Sequence, residues 1–139
     1  MNDLIETLII DTHVLIWYLE GIKLSENQVS VIEDARNRHN LYVSAISIWE
    51  IALLSRQGKI VFSISFNEWM NKLECIPGLC ISDLTASVLI ESCNLMYYEH
   101  RDPADRIIIA FTRSLNAHLM TFDQKILDYA HLGYLKTCL

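Results

Sequence analysis

Proline and glycine are scarce in this chain, two and four among 139 residues, and no proline-rich linker, low-complexity stretch or long block of like charge interrupts it, which excludes extended disorder. No apolar run approaches the roughly 18 residues that a membrane helix needs. Asp3 and Glu6 stand where a signal peptide would carry basic residues, so the chain is expected to be soluble and cytoplasmic, with no membrane partner. Cys75, Cys80, Cys93 and Cys138 show no Cys-x-x-Cys spacing and no histidine pair at finger distance, which argues against zinc and against a disulfide framework. Reduced, mostly buried thiols are expected instead. Basic residues are few as well: 11 Lys and Arg against 17 Asp and Glu, a net charge of −6. That balance argues against a broad basic surface for nucleic acid. It leaves room for a protein that handles phosphate through bound metal, because a divalent ion reverses the local electrostatics of a carboxylate cluster.

Apolar residues are abundant at 52%, and a chain of this length buries roughly two thirds or more of its unfolded surface. Residues 1–139 are therefore expected to fold as a single domain. The mean hydropathy of +0.24 suits either a tight core or an apolar surface that meets a partner.

Short apolar runs alternate with helical segments along the chain. Leu8-Ile9-Ile10 reads as a strand buried on both faces, ending at Asp11. Thr12 and His13 open a helix that stops at Gly21, and Ser25 caps a second helix to about Asn37, with Val29 and Ile32 inward. Leu41-Tyr42-Val43 is a second strand, followed at once by Ser47-Ile48-Trp49-Glu50, whose Ser-x-x-Glu pattern reads as a capping box. Ser65 caps a helix carrying Phe66, Trp69, Met70 and Leu73, ahead of the Pro77-Gly78 turn. Leu79-Cys80-Ile81 is a third strand, and a helix from about Thr85 to Leu95 carries Val88, Leu89 and Ile90 in its apolar part. His118 to Thr121 is a fourth strand, with a short helix behind Asp123, and Tyr134-Leu135 is an expected edge strand. The alternation predicts an α/β fold of three layers, α/β/α, around a mainly parallel sheet of four or five strands.

His100 to Thr112 turns from two acids and two arginines around a proline into a continuous apolar run. Asp102 is a natural N-cap, Pro103 suits the first helical position, and Asp105 lies in the first turn, where the helix dipole favours an anion. Capping alone accounts for both acids. The architecture adds a second constraint, because the first turns of crossover helices lie at the same edge of the sheet as the carboxyl ends of the strands, where ligands bind near a reversal of strand order. Asp11, Glu50, Asp105 and Asp123 all fall at that edge. Two carboxylates about 4 Å apart repel by roughly 4 kcal/mol at an effective dielectric near 20, so the cluster needs compensation. Hard oxygen donors without clustered Cys or His suit Mg²⁺ or Mn²⁺, and such a site hydrolyses phosphodiesters. A phosphatase or phosphate-transfer domain with Asp11 as nucleophile is an alternative, although no second Asp follows two places on, where His13 stands. A silent binding module whose acids are only caps is another.

The order and spacing of four blocks resemble a PIN-domain ribonuclease, particularly the small single-domain toxins of the VapC type. The blocks are Ile9-Ile10-Asp11-Thr12-His13-Val14-Leu15-Ile16-Trp17, Ser47-Ile48-Trp49-Glu50-Ile51, His100-Arg101-Asp102-Pro103-Ala104-Asp105-Arg106 and Leu119-Met120-Thr121-Phe122-Asp123. The resemblance covers nearly the whole chain. It implies that Asp11, Glu50, Asp105 and Asp123 are the catalytic, metal-holding acids, with Mg²⁺ or Mn²⁺ as cofactor and Asp102 as an extra acid within reach. It also implies endonucleolytic cleavage of RNA, a partner antitoxin and a homodimer.

Other residues carry two readings each. Thr12 and Thr121 either orient a ligand carboxylate or satisfy backbone at strand ends. Arg101 and Arg106 either meet RNA phosphate or are solvated. His13 either touches metal or substrate or, as is commoner for a single histidine beside an apolar helix, is packed, and Trp17, Trp49 and Trp69 are assigned to core or a partner groove rather than to base stacking.

Overall fold

The structure, a computed structural model, describes residues 5–138; Asp3, used above in the signal-peptide argument, lies outside them. In chain order the elements are β1 (Leu8–Ile10), α1 (Thr12–Glu20), α2 (Glu26–Asn37), β2 (Leu41–Ser44), α3 (Ala45–Arg56) and α4 (Phe66–Glu74). There follow β3 (Leu79–Ser82), α5 (Ala86–Cys93), α6 (Pro103–Ser114), β4 (His118–Met120), α7 (Gln124–His131) and β5 (Lys136–Cys138). Five strands form one sheet in the order β3-β2-β1-β4-β5, and every neighbouring pair is parallel. The chain moves outward from β1 through β2 to β3, then returns to the other side of β1 for β4 and β5. The strand order therefore reverses between β1 and β4.

Period-two alternation divides the sheet between two cores. Leu8, Ile10, Leu41, Val43 and Met120 face one side, where Val14, Leu15, Ile32, Trp69 and Leu73 come from α1, α2 and α4. Ile9 and Leu119 face the other, against Ile107 to Phe111 of α6 and Ile126 and Tyr129 of α7. The three-layer expectation holds, and β1 is buried on both faces. Among the described residues no helix is long and apolar enough to cross a membrane.

Four local expectations fail for physical reasons. Helix α3 starts at Ala45 with Ser44 as its N-cap, accepting from Ile46 N at 3.2 Å; β2 runs into it without a loop, so Ser47-x-x-Glu50 is no capping box and Glu50 lies in the second turn. The last strand is Lys136–Cys138 rather than Tyr134-Leu135. It is an edge strand paired only with β4, and such a strand need not be apolar. Leu89 and Ile90 are exposed while Val88 is buried, since three consecutive helical positions span about 200° and cannot share one face. Cys75, Cys80 and Cys93 are exposed rather than buried, standing at the end of α4, on edge strand β3 and at the end of α5.

Gly78 lies in the turn between α4 and β3 and packs against the end of α2. Its φ is +85°, and a Cβ there would lie 1.9 Å from the Arg36 carbonyl oxygen, whereas Gly58, φ +71°, has open space. Gly58→Ala is therefore expected to cost about 1 kcal/mol and Gly78→Ala about 3 kcal/mol of stability in urea unfolding; equal losses would show that the backbone contact is not tight.

Candidate functional site

Asp11 ends β1 and caps α1, with Val14 N donating to its Oδ1 at 3.0 Å. Thr121, just beyond β4, donates its hydroxyl to Asp11 Oδ2 at 2.5 Å, and the Asp123 amide donates to Thr121 Oγ1 at 3.1 Å. Thr121 thus ties the ends of the two strands that flank the reversal. Asp123 caps α7 by accepting from Lys125 N at 2.9 Å. Asp102 caps α6 as the sequence suggests, accepting from Ala104 N at 3.0 Å and Asp105 N at 3.2 Å. Three helix N-termini therefore point their free amides and positive dipole ends at one place.

Glu50 arrives from α3. Thr12 Oγ1 is hydrogen-bonded to both Glu50 Oε1, at 2.5 Å, and buried Ser47 Oγ, at 2.9 Å. A carboxylate only accepts, so the single Thr12 proton is directed to Glu50 and the Ser47 hydroxyl supplies the other bond. Asp11, Glu50, Asp102, Asp105 and Asp123 line one cavity of about 360 Å³, together with Thr12, His13, Trp17, Ile108, Phe122 and Lys125.

Crowding shows in the ionisation of these acids. Burial pushes the Asp105 carboxyl up to about 7, helped by the charges of Asp102, Asp123 and Glu50. Burial also raises Asp11, against the lowering effect of its bonds from Thr121 and Val14, and raises Glu50, against the Thr12 bond. Tyr98 lies close enough to Asp105, Asp123 and Asp102 for their charges to raise its phenol further after burial, and its buried hydroxyl has no hydrogen-bond partner.

The structure brings together the four acids of the sequence reading, with Asp102, Thr12 and Thr121. It does not bring Arg106, which is turned to backbone: Nε donates to Ser92 O at 2.8 Å, and Nη1 to Tyr98 O at 2.8 Å and His100 O at 2.9 Å. The expectation that His13 is packed also fails, since it is exposed at the cavity. Trp17, assigned to core or a partner groove, lines the cavity instead, and Phe122, Lys125 and Ser47 were missed. Trp17 falls four places after His13 on one helical face, Ser47 three before Glu50, and Phe122 and Lys125 flank Asp123.

Among the described residues no three Asp, Glu, His or Cys side chains are gathered into an arrangement that could hold a metal ion as it stands. The carboxylates share a cavity without closing on one point. Their chemistry nonetheless fits a hard divalent cation: every carboxylate donor is oxygen, and the mutual repulsion that raises Asp105 is what such an ion relieves.

The PIN domain family model matches residues 8–132. The chain belongs to the PIN-domain family. A relative, Ribonuclease VapC22 of Mycobacterium tuberculosis (strain ATCC 25618 / H37Rv), is 31% identical over 126 residues, covering 90% of this chain and 93% of its own. The PIN fold is shared with FitAcB from Neisseria gonorrhoeae, at a TM-score of 0.67 and 19% identity over 96% of this chain and 97% of that one. It is shared too with VapBC2 from Rickettsia felis bound to a DNA fragment from their promoter, at 0.69 and 16% over 95% and 97%. A toxin-antitoxin complex from Klebsiella pneumoniae matches at 0.64 and 15% over 96% and 97%.

A carboxyl raised by folding binds its proton more tightly in the native state, so stability declines as pH rises through the window between the unfolded and folded values. For Asp105 that window runs from 3.8 to about 7, and Asp11 and Glu50 shift in the same direction. Without divalent metal, thermal unfolding is expected at progressively lower temperature from pH 4 to pH 7. Asp105→Asn should flatten the profile and raise the melting temperature at pH 7.5; an unchanged profile would mean that Asp105 is not strained by its neighbours.

Proposed function

We propose that this PIN domain is a divalent-metal-dependent endoribonuclease acting in the cytoplasm, the toxin of a toxin-antitoxin pair, with residues 1–139 working as one unit. The observation that carries the reading is the set of five acids lining one cavity at the reversal of strand order. The ribonuclease relative, similar over 90% of this chain, and the toxin-antitoxin complexes that share its fold support the substrate and the partner.

Asp11, Glu50, Asp105 and Asp123 would hold Mg²⁺ or Mn²⁺. When bound, the ion supplies charge neutralisation at the phosphodiester and a more acidic attacking water. The Thr121 hydroxyl holds the Asp11 carboxylate in orientation, and Thr12 does the same for Glu50. Asp102 stays engaged with the α6 amides. Lys125, whose charge lowers the Asp105 pKa against the acids, is a cation in the cavity that can meet a phosphate oxygen.

A phosphatase reading finds no support in the placement of Asp11. Asp11 lines the cavity, but His13 rather than a second carboxylate stands two places on, so no paired acid accompanies it as a nucleophile. A protein partner, antitoxin or second copy, has apolar side chains to meet: Trp49 is 58% exposed and Ile90 64%.

Purified protein with Mg²⁺ or Mn²⁺ is expected to cut labelled tRNA or single-stranded RNA into discrete fragments, and chelator should abolish the cutting. Asp105→Asn should lower the rate by at least about 100-fold, and Thr121→Val by about 10-fold, as for loss of a group that orients a ligand. Fragments unaffected by chelator or by Asp105→Asn would sink the reading.

A further inference from the structure

Beside the carboxylates, the cavity has an aromatic wall. Phe122 stands between Thr121, bonded to Asp11, and Asp123, which caps α7, so both neighbours pin its backbone. The residue is 43% exposed. It packs against Trp17 of α1 edge to face, ring centroids 5.3 Å apart at 62°. His13, one turn earlier, lies 6.0 Å from Trp17, and the Lys23 ammonium sits 5.2 Å from the Trp17 ring. Rings from α1 and from the end of β4 thus meet at a cavity otherwise lined mainly by acids. A single exposed apolar side chain needs no explanation, but one braced by a second ring on the wall of a candidate active site is a built surface.

Charge cannot supply much of the affinity here. The chain carries a net −6. Arg36, Arg38 and Arg113 are paired with the carboxylates of Glu33, Asp34 and Glu91. Release of counterions from a polyanion needs free cations in number. Stacking of a base on an aromatic ring does not, and it tolerates any base because each has a π face.

We infer that Phe122, braced by Trp17, is a stacking platform for one unpaired nucleobase next to the phosphodiester to be cut. The inference rests on the nuclease reading. A base within a duplex has both faces covered by its neighbours and cannot reach the ring.

The test uses the full chain with Mg²⁺ and an unstructured RNA octamer, intact or with one abasic nucleotide placed at each position in turn. In wild type, the abasic change beside the cut should lower kcat/KM about ten-fold. Phe122→Leu, which keeps apolar bulk without a π face, should show that loss on intact RNA and no further abasic penalty; Phe122→Trp should behave as wild type. Pre-annealing the octamer to its complement should slow wild type more than Phe122→Leu. Wild-type kcat/KM for Phe122→Leu on intact RNA, or one abasic penalty shared by all three proteins, would overturn the platform while leaving the nuclease standing. If the octamer is not cut, dissociation constants from fluorescence anisotropy of the same octamers carry the comparison, and equal binding by wild type and Phe122→Leu would overturn the platform.

Discussion

Like charge is brought to one place by the architecture itself. In a parallel sheet with crossover helices, strands end and helices begin at the same edge, so an acid chosen as a helix cap and an acid that ends a strand become neighbours. Asp11 is both. Asp102 and Asp123 cap α6 and α7, while Asp105 and Glu50 add charge from the first turn of α6 and the second of α3. The repulsion is offset in three ways without any ion: amide donors of three helix N-termini, hydroxyl donors from Thr12 and Thr121, and a carboxyl at Asp105 that keeps its proton to about pH 7. The first two also orient the carboxylates.

The two cores exist to hold that edge. One seats α1, α2 and α4 and the other seats α5, α6 and α7, while β1 contributes to both. Helix α6 is the most heavily buried, with Ile107 to Thr112 enclosed, and its N-terminal turn has to emerge from that burial carrying Asp102 and Asp105. Arg106 secures the emergence. Its guanidinium gathers the carbonyls of Ser92, Tyr98 and His100, tying the end of α5 and the approach loop to the helix start. The guanidinium of this arginine beside the acids is engaged with backbone.

An acidic nuclease has an electrostatic difficulty that a basic one lacks. With a net charge of −6, and with Arg36, Arg38 and Arg113 paired with its own carboxylates, the chain offers a polyanion little long-range attraction. Binding then depends on what lies within the cavity: the ion its carboxylates suit, Lys125, and the aromatic wall of Trp17 and Phe122.

Much of this was legible in the residues alone. The alternation of short apolar runs with helices determined the layered parallel sheet, because apolar periodicity reports burial directly. Asp102-Pro103 and Asp123 announced helix starts, and the edge rule then gathered Asp11, Glu50, Asp105 and Asp123 before any coordinates. Other features depended on pairing and contact between distant segments. The start of α3 followed from β2 running straight into Ser44, which took the N-cap in place of Ser47. The strand at Lys136 formed because β4 offered a free edge, and exposure of Leu89, Ile90 and three cysteines depended on which faces found neighbours. The bonds of Thr121 to Asp11 and of Thr12 to Glu50 span 110 and 38 residues. Local sequence sets what a residue can donate, accept or bury, and only the folded arrangement decides which partner is there to meet it.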